Sequence, residues 1–130
     1  MQIRRLGRGD EDVVVALATR EPHTALLGDE RTVFVAAFDG TEPIGFAFGY
    51  VLPRRHGAPT ILFVYEIEVD AAYRRRRIAT ELMRALAAEA GAEEGFVLTE
   101  PDNEAANAFY RSLGGAATTI VQWDFEYAAG

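Results

Sequence analysis

The chain has 130 residues, the length of one domain, and 49% of them are apolar, enough for a single continuous core without a metal or disulfides. It has no cysteine, which excludes disulfide frameworks, thiolate metal sites and a cysteine nucleophile. Its formal net charge of -7 argues against a general nucleic-acid binder and suits a cationic partner.

The opening "MQIRRLGRGDEDVVVALA" carries no apolar run of leader length, and no stretch approaches the roughly 20 apolar residues of a membrane span. A cytoplasmic protein with no membrane partner is the expectation. "MQIRRL" alternates apolar and polar side chains and predicts a first strand, after which Asp10 can cap a helix through "EDVVVALATR". "EPHTALLGDE" predicts a loop or a short helical turn. "RTVFVAAFDG" and "EPIGFAFGYVLP" are rich in aromatic and β-branched residues and meet at Asp39-Gly40, as in a two-strand hairpin. After the turn "RRHGAP", "TILFVYEIEVD" is the strongest strand in the sequence.

Residues 78–90, "IATELMRALAAEA", space their apolar side chains as a helix does, and Gly91 follows as a stop. "GFVLTE" predicts a short strand, Asn103 opens a second helix in "NEAANAFYRSLGG", and "TTIVQWDFEY" predicts a last strand. The order β-α-β-β-β-α-β-α-β, without repeat or linker, predicts a single α/β domain over residues 1–130 with a mixed sheet.

All 13 basic residues are arginine, and four of them stand together in "AAYRRRRIATELM". That run joins a strand to the first turn of a helix, where backbone N–H groups lack partners and the macrodipole adds partial positive charge. By residue type alone the run is either a solvated basic loop or a site for a phosphate-bearing ligand.

"VDAAYRRRRIATELM" is similar to the acetyl-CoA signature of the GNAT superfamily of N-acetyltransferases: Arg or Gln, two residues, Gly, one residue, then Gly or Ala. Those positions are Arg74, Arg75, Arg76, Arg77, Ile78 and Ala79, with Arg77 where the family has glycine. "NEAANAFYRSLGG" resembles the superfamily's second signature, with Asn103, Ala106, Tyr110 and Gly114 at its positions. The stretch "FVAAFDGTEPIGFAFGYVLPRRHGAPTILFVYEIEV" resembles, less specifically, the type I aminoglycoside 3-N-acetyltransferase branch. The segment between the first strand and "RTVFVAAFD", which walls the acceptor site in that branch, is short here.

The resemblance implies a mixed, mostly antiparallel central sheet flanked by helices, and acetyl-CoA as cofactor. It implies that Ile67, Glu68 and Val69 meet the acetyl group and the pantetheine arm, that Arg74 through Thr80 take the pyrophosphate, and that Asn103, Ala106 and Tyr110 complete the cofactor site. Tyr110 is then the acid for the departing thiolate, since a neutral phenol with a pKa near 10 suits that proton transfer. Glu66 matches the acidic residue of the family's Tyr-Asp-Leu-Ala-Val and is the candidate base and acceptor contact.

Glu68 and Asp70 alternate with Glu66 and share its face unless a bulge intervenes. Glu100, Asp124 and Glu126 are further candidate contacts for a cationic acceptor. The bland alternatives are a core tyrosine and solvated carboxylates. His23 and His56 fall in predicted loops, and two histidines without cysteine make no metal site. Phosphate-loop and dinucleotide glycine patterns are absent.

The function these residues point to is acetylation of an aminoglycoside amine, at the 3-amino position by the resemblance, giving resistance. Acetylation of a polyamine, a peptide N-terminus or a small metabolite stays open, as does a non-catalytic coenzyme A-binding role. Edge strands of a mixed sheet permit pairing between chains, so a homodimer is also open.

Overall fold

A computed structural model describes residues 1–74 and 76–129; Arg75, one of the expected pyrophosphate contacts, lies outside the described residues. Strand β1 (Gln2–Arg5) leads to helix α1 (Glu11–Leu17), a 3-10 turn (Thr24–Gly28), strands β2 (Thr32–Asp39), β3 (Glu42–Pro53) and β4 (Thr60–Val69), and a second 3-10 turn (Ala71–Tyr73). Helix α2 (Ile78–Ala90), strand β5 (Gly95–Val97) and helix α3 (Glu104–Ser112) follow. The five strands form one sheet in the order β1-β2-β3-β4-β5, antiparallel except for the parallel β4–β5 pair. The class is α/β with a mixed, mostly antiparallel sheet, as the sequence predicts.

Two compact units make up the chain, Met1–Leu98 with the whole sheet and Thr99–Gly130 with α3. In the first unit both faces of the sheet are covered over β2 and β3, which is why β2 is buried at seven consecutive positions. Ile78, Leu82 and Leu86 repeat every fourth residue along α2 and pack on Val33, Val35, Ala47, Leu62 and Val64. On the opposite face Leu6 and Val14 cover Phe34, Ala36, Phe38, Phe46 and Phe48, with Val13, Leu17, Leu26 and Leu27 around them.

Gly49 is what lets β3 and β4 approach. A Cβ there would come within 2.6 Å of the Phe63 carbonyl oxygen. Beside it the ladder shifts, Phe48 facing Glu66 while Gly49 faces Val64, so Tyr65 is an extra residue with no partner on β3.

Several expectations need correction. Helix α1 stops at Leu17, three residues early, because Ala18 turns extended after a run of three valines that favour helix weakly. Asp10 sits at the N-cap position without bonding a helix amide; its carboxylate instead accepts from the Gly7 N–H and pairs with Arg4. The strand expected over "GFVLTE" is only Gly95–Val97, and Glu100 falls in the turn beyond it.

The last strand does not form. Residues 118–127 are irregular, and Ile120, Val121, Trp123, Phe125 and Tyr127 are all exposed. Alternation supplies a strand's pattern but not its ladder, and no described segment pairs with this one. The candidate contacts Asp124 and Glu126 therefore sit on an exposed irregular segment, not on a strand.

Candidate active site

The bulge at Tyr65 decides which side chains share a face. Before it, Leu62 and Val64 point toward α2; after it, Ile67 and Val69 do. Phe63, Tyr65, Glu66 and Glu68 consequently lie on the other face, with Glu66 beside Phe48 and Glu68 beside Phe46. The expected alignment of Glu66 with Glu68 holds, since the bulge precedes both. Asp70 leaves the strand and heads the following 3-10 turn. Glu66 and Glu68 are exposed and make no ion pair among the described residues.

Strand β5 pairs with β4 only over Leu62–Val64. Beyond Val64 the outer edge of β4, which carries the backbone groups of Ile67 and Val69, has no strand partner among the described residues, while the Glu68 carbonyl turns to Gly45 on β3. Unpaired backbone donors and acceptors in a row can bond an amide-bearing chain as a further strand would.

That edge leads directly to the start of α2. Arg77 is the N-cap residue, left-handed at φ 61 and ψ 16, and its side chain makes no cap hydrogen bond. The first amide bonded within the helix is that of Glu81, to the Arg77 carbonyl, so the amides of Ile78, Ala79 and Thr80 point out of the helix start. Arg74, Arg76 and Arg77 are exposed and have no carboxylate partner among the described residues. The Arg74 Nε donates to the Val69 carbonyl at 3.3 Å, and Arg76 lies over the Tyr73 ring, 5.3 Å from its centroid. Tyr73 is held by donating to Asp39 at 2.7 Å, the bond that pushes its phenol up. Outward-facing amides, a helix dipole and guanidinium groups without a carboxylate partner among the described residues are the donors an anion needs, so the residues present fit the diphosphate of coenzyme A.

In the second unit Asn103 caps α3 through its side chain, which accepts from the Ala106 amide at 3.1 Å. Tyr110 is half-buried on the same helix, its ring 5.2 Å from that of Phe109, and burial pushes its phenol up. The Glu100 carbonyl accepts from the Asn103 amide and the Asn107 side chain, so the backbone of Glu100 belongs to the helix start.

Two features escaped the sequence reading. Aromatic rings run unbroken across the Glu66 face, from Phe34 through Phe48, Tyr50, Tyr65 and Phe63 to Phe96. The period-two placement of Phe46, Phe48 and Tyr50, and of Phe63 and Tyr65, was the available signal. The second is a cavity of about 250 Å³ lined by Arg5, Arg8, Gly28, Asp29, Thr32 and Phe34 among others, which joins residues far apart in the chain. Phe34 belongs both to the cavity lining and to the aromatic row, and burial, followed by Tyr65, Glu66 and Asp29, pushes the Tyr50 phenol up. His23 and His56 are exposed, and no metal-holding group of residues occurs among the described residues. No described helix is long and apolar enough to cross a membrane.

The model of the Acetyltransferase (GNAT) family matches residues 6–115. An L-2,4-diaminobutyric acid acetyltransferase from Streptomyces avermitilis is 38% identical over 103 residues, covering 76% of this chain and 55% of the relative. One from Streptomyces coelicolor is 36% identical over 75 residues, covering 55% of this chain and 42% of the relative. The chain thus spans about half the length of these curated relatives. Among solved structures, the aminoglycoside acetyltransferase meta-AAC0020 from an uncultured soil metagenomic sample, in complex with sisomicin, superposes with TM-score 0.86 at 22% identity, covering 98% of this chain and 96% of the other. Aminoglycoside N-acetyltransferase AAC(6')-Iy in complex with CoA gives 0.79 at 19%, covering 98% and 100%. At these identities the likeness concerns the fold.

Proposed function

Because the chain belongs to the acetyltransferase (GNAT) family, whose acyl donor is acetyl-CoA, we propose that it transfers an acetyl group from acetyl-CoA to an amine of an aminoglycoside. The observation that carries the reading is the outer edge of β4, without a strand partner beyond Val64 among the described residues, running into the start of α2, whose N-cap side chain makes no cap hydrogen bond. In this reading residues 1–130 act as one acetyltransferase domain.

Acetyl-CoA, when bound, supplies an activated acetyl thioester. The β4 edge at Ile67 and Val69, with Glu68 between them, holds its amide arm and acetyl carbonyl. The amides of Ile78, Ala79 and Thr80, with Arg74, Arg75, Arg76 and Arg77, hold the diphosphate. Asn103, Ala106 and Tyr110 complete the site. Glu66 takes the proton from the acceptor's ammonium, directly or through water, so that the nitrogen lone pair is free to attack. Tyr110 would keep its proton through neutral pH and would supply it to the departing sulfur, its phenolate then being reprotonated by the second proton that the acetylated nitrogen must lose. Glu66, Glu100, Asp124 and Glu126 are the proposed carboxylates for the acceptor's cationic groups. Modification of an aminoglycoside would give resistance inside the cytoplasm, the proposed location.

A second reading is favoured by the cavity at Arg5 and Asp29. Its walls carry guanidinium and carboxylate groups together, which suits a zwitterionic amino acid such as the diaminobutyrate named for the curated relatives. Release of coenzyme A thiol by the purified chain, with sisomicin, spermidine and L-2,4-diaminobutyrate as separate acceptors, distinguishes them. Turnover on sisomicin that Glu66→Gln lowers at least tenfold supports the first reading. Turnover on diaminobutyrate alone replaces it with the second. Mapping the acetylated nitrogen of the product tests the 3-amino position.

A further inference from the structure

The exposed end of the aromatic row has no role in the core. Helix α1 and the 3-10 turn at residues 24–28 cover Phe34, Phe46 and Phe48, but Tyr65 remains 55% exposed and Phe96 40%. Both rings are nevertheless well placed against their neighbours. Phe96 stacks on Phe63 with centroids 4.6 Å apart and planes 11° apart, as its partner across the parallel β4–β5 ladder. Tyr65 stands edge-on to three rings at once, at 75° to Phe48, 81° to Tyr50 and 73° to Phe63. Its position follows from the bulge, which leaves it no partner on β3 and sets it next to Glu66 on the same face.

We propose that Tyr50, Phe63, Tyr65 and Phe96 form the floor on which the acceptor's body lies, and that they select a ring-bearing amine with several ammonium groups and no carboxylate. The inference rests on the acetyltransferase reading above and assigns the residues that choose its acceptor. Aromatic faces carry the negative part of the ring quadrupole and attract cations. They also pack against the C–H faces of saturated rings, which a short linear amino acid lacks. Glu66 and Glu68 flank the floor on the same strand and complement an ammonium group. An acceptor carboxylate would meet both these anions and the ring faces, so the floor disfavours an amino acid.

The test is steady-state thiol release by the full chain at saturating acetyl-CoA, with sisomicin and L-2,4-diaminobutyrate, for wild type, Tyr65→Ala, Tyr65→Phe and Phe96→Ala. Each alanine variant also loses ring packing, so its melting temperature is measured alongside, and Tyr65→Phe, which keeps the ring and its edge-on contacts, controls for stability. The expected result is a KM for sisomicin raised about tenfold in each alanine variant, with kcat within about threefold, unchanged KM for diaminobutyrate, and recovery in Tyr65→Phe. An unchanged sisomicin KM in both alanine variants, or a wild-type preference for diaminobutyrate, overturns the proposal. Calorimetric titration with sisomicin in the absence of donor separates the two layers. Binding that weakens in Phe96→Ala without thiol release by wild type defeats acetyl transfer and upholds the floor. No wild-type binding at millimolar sisomicin defeats the floor.

Discussion

Arg77 stands in the left-handed region, at φ 61, the only non-glycine residue with positive φ among the described residues. The GNAT signature that this stretch resembles carries glycine at the same position. A side chain in that conformation costs about 1–2 kcal/mol, and glycine would return roughly 0.5–1 kcal/mol of that to the unfolded chain's entropy. Arg77→Gly should therefore raise the melting temperature by about 2–4 °C, while Arg77→Val, β-branched in the same conformation, should lower it; thermal unfolding followed by circular dichroism reads both. Tyr110 raises a kinetic question instead. If it protonates the leaving sulfur, Tyr110→Phe lowers kcat by about 100-fold or more with little change in donor binding. Since burial lifts its phenol, the wild-type rate should show no alkaline decline from this group below about pH 10, and a decline centred near pH 8 would assign the acid elsewhere.

At the level of elements, the β3–β4 ladder and its bulge do most to shape the site. One extra residue flips the parity of β4, so Glu66 and Glu68 come out on the face away from α2 instead of entering the core. Gly49 makes that approach possible. In Gly49→Ala the new methyl would press on the Phe63 carbonyl, and the strands must part or shift. The expected loss is about 2–3 kcal/mol, measured as a fall in the urea midpoint at unchanged slope, together with loss of whatever acceptor binding the wild type shows. Helix α2 was legible in advance because its three buried residues repeat with a helix's period and its end carries a left-handed Gly91. The bulge was not legible: "FVYEIEVD" keeps the same composition whether Tyr65 is paired or extruded.

Across the whole molecule, charge and ionisation set a further expectation. Tyr50, Tyr73 and Tyr110 all hold their protons above the ordinary tyrosine value, Tyr50 and Tyr110 chiefly through burial and Tyr73 chiefly through its bond to Asp39. An unfolded tyrosine ionises near pH 10, so above that pH the unfolded chain binds fewer protons than the folded one. Stability from these three groups is whole below about pH 10 and declines as pH rises through their folded values. Urea midpoints across pH 8–11 should be level at first and then fall, and Tyr50→Phe should make the fall shallower. The exposed segment at residues 118–127 gives the opposite expectation. Trp123→Ala should move stability by no more than about 0.5 kcal/mol, because its ring is 78% exposed; a larger loss in thermal unfolding would mean that the segment is covered in solution.

The chain by itself determined the element order as far as α3, the two signature helices, the arginine-rich helix start and the lack of cysteine, because these depend on local period, capping and composition. Asn103 illustrates the point, since a cap needs only the amide three residues on. Tertiary structure decided the rest: the parity of β4, the unpaired edge beyond Val64, the aromatic row across four strands, and the failure of "TTIVQWDFEY" to become a strand. Each of these depends on which backbone lies alongside, and a strand's partners are remote in sequence. Alternation can prescribe two faces for a segment, but only a neighbouring strand or helix determines whether either face is used.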